Sequence, residues 1–511
     1  MSKIVFENVS FSYPGSHKEI FKDLDFEIDT NWKLGLIGRN GDGKTTLLRL
    51  LADENKKEYS GKIVCESKVE YFPYAVQNSD ATMLKVLKEM IAPFIEWEEQ
   101  MVELQDQLGQ DKQEKYFRIL DLFMEHDGYI IEEKIKKELF KIGLSEKYLS
   151  KPFSTLSEGE KTKAQIVALF LKKETFLLID EPTNHLDIAG RLSVGKYLCA
   201  KSGFVLVSHD ADFLNLCTDH ILFINNNQVT IQRGNFDIWK QNWDRLQLNR
   251  EKIKDGLEQQ KNKMDIQVNQ LRAWEKKAGE KSEVKIAKKV KHIEKERELV
   301  LTERNKIGSQ MTEIDSLKMN CSKQSHELLL SAHNISYDVG QESILEQIQI
   351  EIKSGERILI SGINGSGKTT LVKILIGEIK GTGTLYKRPE LKISYIPQIT
   401  SGLIGSVYDF SDKHNLNPAV LVPVLRQLGV AAQTLKKNMK DFSEGEKKKV
   451  YIAKSIMEES DLYIWDEPLN YLDIIARVQI EEMVKRYNPT MIFIEHDLSF
   501  SLKIATREFC C

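Results

Sequence analysis

The stretch GRNGDGKT at residues 38–45 decides the fold of this chain, and a second copy, GINGSGKT, occupies residues 362–369. In a loop of the form G-x-x-x-x-G-K-T, successive backbone N–H groups surround a phosphate. The lysine reaches the β- and γ-phosphates, and the threonine hydroxyl holds magnesium. The two loops therefore predict two nucleotide sites in one chain.

The two halves of the chain repeat the same motifs at matching spacing. In each half a tyrosine precedes the glycine-rich loop by the same distance, and the serine of an SEGE segment precedes by the same distance an aspartate that ends an apolar run. Agreement of motif and spacing indicates a duplicated unit. The paired positions are Tyr13 and Tyr337, Ser157 and Ser443, Asp180 and Asp466, and His209 and His496.

Short apolar runs lead into these motifs and predict an α/β fold class. KLGLIG at 33–38 and TFLLIDEP at 175–182 have counterparts in the second half. Continuous apolar strands that alternate with helices are typical of a parallel sheet covered on both faces, with ligands at the carboxyl ends of the strands. We predict one P-loop domain over residues 1–243 and another over residues 316–511.

Two stretches break the symmetry between the halves. The segment between the glycine-rich loop and the SEGE segment is longer in the first half than in the second. Apolar residues spaced by three and four predict a small helical arm inserted at about 80–125, with ordinary packing onto the parent domain as the alternative. Residues 244–315 lack proline and show heptad-like apolar spacing, which predicts a long antiparallel helical hairpin as linker, with its turn near Gly279.

The linker also carries an uneven charge. Lys285, Lys288, Lys289 and Lys291 follow one another without an intervening acid. A basic tip on a long helical rod predicts contact with nucleic-acid phosphates. A solvated coiled-coil surface is the alternative interpretation.

Composition narrows the class of protein. The 511 residues include 73 Lys plus Arg and 76 Asp plus Glu, so the net charge of −3 does not by itself predict a nucleic-acid partner. The six cysteines lack metal-ligand spacing, a pattern typical of a reducing, cytoplasmic location. No apolar run reaches the ~18–20 residues that span a bilayer, so we expect no membrane-spanning segment in this chain and no membrane partner.

Each half carries side chains suited to phosphoryl transfer. An aspartate at the end of an apolar strand can support the magnesium shell, and the glutamate after it can polarise an attacking water. At matched spacing, the later histidine is predicted to hold the γ-phosphate and the water. These residues are Asp180, Glu181 and His209 in the first half and Asp466, Glu467 and His496 in the second.

The combination of the glycine-rich loop with LSEGE at 156–160, LLIDEPTNHLD at 177–187 and VSHD at 207–210 resembles the ABC ATPase superfamily. EPTNHLD in a two-module chain with a charged helical linker resembles its ABC-F branch. The segments NWKLGLIGRNGDGKTTLLRLL at 31–51 and RGNFDIW at 233–239 further resemble the antibiotic-resistance subgroup of Lsa and Vga type.

The resemblance implies two tandem ABC-type modules in one monomer, closing head-to-tail over two ATP molecules with Mg²⁺. Each loop lysine would then face the SEGE segment of the other module, and Asp187 and Asp473 would join the two sites. The implied magnesium positions are Thr45, Asp180, Thr369, Gln398 and Asp466. The implied nucleotide-binding residues are Tyr13, Gly38, Asn40, Gly41, Gly43, Lys44, Thr45, Thr46, Ser157, Gly159, Tyr337, Gly362, Asn364, Gly365, Gly367, Lys368, Thr369, Thr370, Ser443 and Gly445.

Several positions depart from this pattern, and one of them bears on the magnesium site. Gln398 lies where the family places its magnesium- and water-sensing glutamine, but Tyr74 lies as far after Gly38 as Gln398 lies after Gly362. A phenol is a poor substitute for an amide carbonyl on magnesium, and Gln77 compensates only if the loop shifts. We predict two unequal sites that both bind ATP.

The resemblance also implies a function. The hairpin would enter the tRNA exit site of the ribosome and contact rRNA and tRNA. The expected activity is ATP-dependent protection of the ribosome from lincosamides, pleuromutilins and streptogramins A at the peptidyl-transferase centre. A housekeeping ABC-F translation factor and, more remotely, the double-ATPase subunit of an ABC importer are the alternatives.

Overall fold

The computed structural model describes residues 2–15, 19–52, 59–105, 110–184, 186–225, 227–275, 280–309, 317–322, 327–340, 342–363, 365–495 and 497–511. These residues form two α/β modules joined by two long helices. The strands of the first module are β1 (Lys3–Ser12), β2 (Glu19–Asp29), β3 (Lys33–Gly38), β4 (Ser60–Cys65), β5 (Lys68–Phe72), β6 (Thr175–Asp180), β7 (Phe204–Val207), β8 (His220–Asn225) and β9 (Gln228–Arg233). Its helices are α1 (Lys44–Leu51), α2 (Met83–Ile91), α3 (Phe94–Gln105), α4 (Gln110–Glu125), α5 (Ile131–Lys141), α6 (Glu158–Leu171), α7 (Ile188–Cys199) and α8 (Ala211–Cys217).

The linker and the second module follow. The linker helices are α9 (Phe236–Glu275) and α10 (Glu280–Ser309). The strands of the second module are β10 (Leu328–Val339), β11 (Glu342–Lys353), β12 (Arg357–Ser361), β13 (Thr382–Lys387), β14 (Ile393–Ile396), β15 (Leu462–Asp466), β16 (Met491–Ile494) and β17 (Arg507–Cys510). Its helices are α11 (Lys368–Ile376), α12 (Val407–Lys413), α13 (Pro418–Gln427), α14 (Glu444–Met457), α15 (Ile474–Tyr487) and α16 (Leu498–Ile504).

The central sheet of the first module has the order β5-β6-β7-β3-β8-β9, and its strands are parallel except for the β8–β9 pair. A three-stranded antiparallel sheet, β2-β1-β4, lies beside it. Every residue of β7 is buried, as expected for a strand covered on both faces. The carboxyl ends of β3, β6 and β7 therefore meet at one edge, where the predicted site residues follow.

The second module repeats this plan. Its central sheet has the order β14-β15-β16-β12-β17 with all strands parallel, and β11-β10-β13 forms the antiparallel sheet. In β17, Cys510 pairs with Ser361 of β12, directly before the second glycine-rich loop. The predicted α/β architecture with two tandem modules is confirmed.

Helices α3 and α4 form the arm of the first module. Its base is anchored by Phe94, a fully buried residue whose ring meets those of Trp97 and Phe123 edge-on. Farther out, Val102 and Phe117 are exposed. The base thus packs on the module core while the outer part of the arm faces solvent.

The two linker helices pack against each other, and the first of them, α9, starts inside the first module. Helix α9 begins at Phe236, before the linker boundary predicted from the sequence. Val268, Val290 and Val300 are buried along the hairpin. An ion pair between Arg297 and Asp265 (2.9 Å) also joins the helices. The turn predicted near Gly279 lies outside the described residues, and no helix among the described ones is long and apolar enough to cross a membrane.

Candidate nucleotide sites and their catalytic residues

Each glycine-rich loop joins a central strand to a helix. The first runs from Gly38 to Gly43, which has a φ of 98° directly before α1. A Cβ on Gly43 would lie 2.7 Å from Ile20 Cγ2, so only glycine fits this turn. The second loop has the same form, with Gly367 at a φ of 90° directly before α11. The backbone N–H groups at the starts of α1 and α11 are therefore placed to hold phosphate.

Both loop lysines lie over their own loops. Lys44 Nζ donates to the carbonyl oxygens of Gly38 (2.9 Å) and Arg39 (3.0 Å). Lys368 Nζ makes two equivalent hydrogen bonds to the start of its loop, both of 2.8 Å. Burial lowers the pKa of Lys44, and an anionic phosphate beside the amine would favour its charged form.

The strand ends offer oxygen atoms that fit magnesium. Thr45 Oγ1 and the Tyr71 hydroxyl both donate to Asp180 Oδ2, at 3.1 and 2.8 Å. Asp466 is fully buried, and its burial raises its pKa although the Thr369 hydroxyl opposes this effect. Within the described part of the chain, neither carboxylate oxygen of Asp466 has a well-formed hydrogen bond. A buried carboxylate of this kind is costly unless a cation compensates its charge, and this set of hydroxyl and carboxylate oxygens suits Mg²⁺.

The two tyrosines predicted to stack on adenine have different surroundings. The Tyr13 hydroxyl lies 2.8 Å from Thr46 Oγ1, and its ring meets Phe11 edge-on at 5.1 Å. Tyr337 is half-buried in β10 and packs against the core of the second module. The structure thus places Tyr13 directly beside the helix that follows the first loop.

A cleft of about 490 Å³ surrounds Lys368. Its described lining residues all belong to the second module and include neither Ser157 nor Gly159, which the resemblance places opposite Lys368. The cleft brings Gln398 and Glu467 together with the second loop. The residues that line the cleft are Ile344, Gly365, Gly367, Lys368, Thr369, Thr370, Gln398 and Glu467.

The two candidate catalytic glutamates share a strained backbone. Glu181 and Glu467 have φ values of 50° and 48°, which residues other than glycine rarely adopt. Each is fixed by a backbone hydrogen bond of 2.9 Å, from Glu181 N to Val207 O and from Glu467 N to Ile494 O. The neighbouring strand therefore holds each carboxylate at the edge of the sheet where the phosphate loop lies.

The second glutamate is held by two amide donors. Gln398 Nε2 donates to Glu467 Oε1 at 2.8 Å, and Asn470 Nδ2 donates to Glu467 Oε2 at 2.6 Å. These two hydrogen bonds fix the orientation of the carboxylate, as a residue that positions an attacking water requires. The structure thus places Gln398 beside Glu467, and its contact with magnesium stays a prediction.

The first glutamate has a different environment. Burial and the neighbouring Asp180 raise the pKa of Glu181 to about 7, against the opposing effect of nearby cations. His209 Nε2 lies 3.3 Å from Glu181 Oε1. Burial, Lys44 and Arg477 lower the pKa of His209 to about 3, so the imidazole is neutral at pH 7 and this contact is not an ion pair.

Tyr74 does not take the role that Gln398 has in the second module. Its backbone N–H and carbonyl are both bonded to the Gln165 side chain, at 3.2 and 3.1 Å. Its ring lies 5.5 Å from Lys172 Nζ. Gln77 is exposed and lines a cleft next to the arm. Tyr74 lines the same cleft, so both residues lie on the arm side of the module.

Lys448 is a residue of the second site that the sequence did not reveal. Its amine donates to the carbonyl oxygens of Pro397 (2.9 Å), Asp466 (3.1 Å) and Gln398 (3.4 Å). The residue is only 2% exposed, and burial lowers its pKa to about 8. Lys448 therefore ties the segment carrying Gln398 to the strand end. The available signal was its position shortly after Ser443, where the first module has Thr162.

The first glycine-rich loop meets the second module. Asn40 N donates to Asp473 Oδ2 and Asn40 Nδ2 donates to the Tyr471 carbonyl, both at 3.2 Å. The Tyr471 carbonyl oxygen lies 2.5 Å from the position of a Cβ on Gly445. The loop around Lys44 and the second SEGE segment are thus neighbours through Tyr471.

The SEGE serines begin helices. Ser157 and Ser443 each cap a helix, accepting a hydrogen bond from the N–H of the glutamate three positions on and donating a backbone N–H to its carboxylate in return. These capping boxes fix the N-terminal ends of α6 and α14. The predicted site residues Asn364 and His496 lie outside the described residues.

The fold and these sites define a two-module nucleotide-binding protein, and comparison with known proteins agrees. The sequence profile of the family described as "ABC transporter" matches residues 21–184 and 345–470. These matches cover more than half of the chain. The protein therefore belongs to the ABC transporter family, and its two ABC domains make it an ATPase.

Several proteins are similar to this chain along most of their length. The uncharacterized ABC transporter ATP-binding protein YfmM of Bacillus subtilis is 26% identical over 97% of this chain and 96% of its own. The ATP-binding protein Uup of Haemophilus influenzae is 26% identical over 96% and 76%, respectively. The ribosome protection protein VmlR of Bacillus subtilis is 25% identical over 96% and 83%.

A solved structure has the same overall architecture. In the crystal structure of the archaeal ribosomal stalk protein aP1 with the archaeal ribosome recycling factor aABCE1, the similar chain matches with a TM-score of 0.58 and 20% identity. The match covers 98% of this chain and 87% of the other. This likeness supports the two-module fold.

Replacing Lys448 by threonine, the residue at the equivalent first-module position, should slow the second site about tenfold to a hundredfold, because Gln398 loses its tether to the strand end. The measurement is single-turnover ATP hydrolysis in a Glu181→Gln background, with ATP affinity determined in parallel. We expect the rate constant to fall while affinity changes less than twofold. Lys447→Thr, which removes the neighbouring ion pair with Glu444 (2.8 Å) and leaves Lys448 in place, is the matched control. An unchanged rate would remove Lys448 from the site.

Turnover at the first site should rise about tenfold between pH 6 and pH 8, because a group with a pKa near 7 goes from about one tenth to about nine tenths ionised. His209 stays neutral throughout this range and adds no opposing step. The rate is measured by single turnover in a Glu467→Gln protein. The same protein with Glu181→Gln added should be slow and flat with pH. A rate independent of pH in the parent would contradict the assignment of Glu181 as the base.

Proposed function

We propose that the protein is an ABC-F ATPase that binds the ribosome in its ATP-closed state and protects it from antibiotics acting at the peptidyl-transferase centre. Similarity to the ribosome protection protein VmlR and the presence of a long helical hairpin between two ABC modules support this proposal. The proposed location is the cytoplasm, and the proposed partners are rRNA and tRNA near the exit site.

The observation that carries the proposal is that the start of the hairpin contacts both modules. Trp239 and Trp243 of helix α9 are buried in the hydrophobic core of the first module. One turn into the helix, Lys240 Nζ pairs with Glu482 of the second module at 3.0 Å. A movement of either module against the other is therefore transmitted to the hairpin, which links the nucleotide state to the hairpin's direction.

The outer part of the hairpin suits RNA. Lys288, Lys289 and Lys291 are exposed on α10, and Trp274 is exposed near the end of α9. Lysines bind phosphates without regard to sequence, and an exposed indole can stack on an unpaired base. These features favour an RNA-binding hairpin, which recognises shape and phosphates, over a hairpin whose charged surface is only solvated.

In the proposed cycle, nucleotide binding completes the closure by bringing the second loop against the first module, and hydrolysis reopens the pair. Bound Mg²⁺ would offset the charge of the phosphates, next to Asp466 and Thr369. Glu467, oriented by Gln398 and Asn470, accepts a hydrogen bond from the attacking water. Glu181 acts in the same way at the first site once ionised.

A housekeeping translation factor of the ABC-F branch is the second candidate. Helix α9 ends at Glu275 and α10 begins at Glu280, so the tip between them is short. A short tip favours an indirect effect through tRNA over direct contact with a bound drug. The hypothesis of an importer subunit fits the structure less well, because it assigns no role to the long charged hairpin.

The Glu181→Gln, Glu467→Gln protein should sediment with 70S ribosomes in the presence of ATP, because it closes but does not hydrolyse the nucleotide. We expect little sedimentation with ADP. The control adds Lys44→Ala and Lys368→Ala, which remove the phosphate ligands and should abolish binding. Failure to sediment with ribosomes, or sedimentation with membranes instead, would overturn the ABC-F proposal.

Cells that carry the gene should tolerate about fourfold or more of a lincosamide, pleuromutilin or streptogramin A than cells without it, while their tolerance of an aminoglycoside stays unchanged. The minimal inhibitory concentration is measured with the intact gene and with the Glu181→Gln, Glu467→Gln variant as control. Equal susceptibility, combined with ribosome binding, would favour the housekeeping factor.

A further inference from the structure

The first glycine-rich loop makes a contact across the modules that uses an arginine. Arg39 Nη1 donates to the carbonyl oxygen of Arg426, in the last turn of α13, at 3.2 Å. Arg39 is only 8% exposed, and its Cδ lies 3.2 Å from the position of a Cβ on Gly429. The carboxyl end of a helix attracts a cation, so this contact is electrostatically favourable. Arg39 thus holds the first loop against the second module.

The duplication defines the equivalent positions for the other site. Ile363 directly follows the first glycine of the second loop, as Arg39 does in the first. Phe140 precedes Ser157 of the first SEGE segment by the same distance as Arg426 precedes Ser443 of the second. Both halves also place a glycine with positive φ shortly after this position, Gly143 at 74° and Gly429 at 83°. The backbone turn that receives Arg39 therefore recurs in the first module at Phe140.

The residues at these equivalent positions are apolar and unburied. Ile363 and Phe140 are each 82% exposed. By contrast, their neighbours Leu139 and Ile142 are fully buried in the core of the first module. The second glycine-rich loop and the end of α5 thus each present a large apolar side chain to solvent, and such exposed apolar surface is typical of a site that becomes covered by a contact.

We propose that closure of the second nucleotide site places Ile363 against Phe140, an apolar contact that replaces the arginine–carbonyl contact of the first site. The proposal rests on the head-to-tail closure in the proposed function. The pseudo-symmetry between the halves carries Ile363 to the end of α5 when the second loop approaches the first module. Ile363 cannot donate a hydrogen bond from its side chain to the Phe140 carbonyl, but that side chain covers the phenyl ring.

This arrangement gives the two sites different closing forces. The first uses a buried charge beside a helix end, and the second uses the removal of apolar surface from water. The second contact forms only on closure, so it adds to the effect of nucleotide and does not favour the open state. Ile363 and Phe140 are thus positioning residues for the second site.

The test is exchange of the pair for opposite charges in the Glu181→Gln, Glu467→Gln protein. The ATP concentration for half-maximal compaction is measured by small-angle X-ray scattering across an ATP titration. Phe140→Glu and Ile363→Glu should each raise this midpoint about tenfold, because closure then buries an unpaired charge. Combining Ile363→Lys with Phe140→Glu should return the midpoint to within about threefold of the parent.

A mismatched pair separates contact from a general effect of charge. Ile363→Lys combined with Phe117→Glu, which lies on the exposed part of the arm, should show no recovery. If the parent compacts with ATP but the charge pair fails to recover, the Ile363–Phe140 contact is wrong and the proposed function stands. If the parent itself does not compact, the proposed closure fails, and this inference fails with it. Circular dichroism confirms that each variant is folded.

Discussion

The carboxylate of Asp473 is the point on which the arrangement of the two modules depends. Its Oδ2 accepts from Lys449 Nζ at 2.8 Å and from Asn40 N of the other module, while its Oδ1 caps α15 through Ala476 N. Both charged partners are 1% exposed, and although burial opposes ionisation, Lys449 holds the pKa of Asp473 far below its usual range. A buried pair of this kind contributes little net stability, but the loss of one partner is expensive. The contact therefore specifies geometry: it keeps the first glycine-rich loop in register with the second module.

The two sites differ in the surroundings of their glutamates. In the second site, Gln398 and Asn470 fix Glu467, the candidate base, and Lys448 fixes the segment that carries Gln398. In the first, the backbone of Tyr74 is bonded to the Gln165 side chain, and Glu181 lies buried next to Asp180. The second site combines a doubly hydrogen-bonded glutamate with a cleft, and the first combines close contact between the modules with a buried glutamate whose pKa is raised to about 7.

The repeated loops, the strand ends and the α/β class could be predicted from the sequence, because these features depend on local motifs and on apolar runs. The start of α9 could not be predicted in this way. Phe236 follows a glycine and an asparagine, which are typical of a turn, and only the structure shows that it packs in the core of the first module. Lys448 was missed for a related reason: a lysine after a helix start suggests a solvated face, and only the tertiary structure shows three carbonyl oxygens around its amine. Cross-module contacts such as Asn40–Asp473 join residues that are far apart in the chain, and no local pattern encodes them.

The unbroken length of α9 has a mechanical consequence. Its 40 residues span about 60 Å at 1.5 Å per residue, and its first turns are clamped in the core of one module and paired to the other. A rigid rod held at one end works as a lever, so a tilt of about 10° at the root sweeps the far end through about 10 Å. A small rotation at the base of α9 would therefore move its far end by a distance as large as the width of a helix.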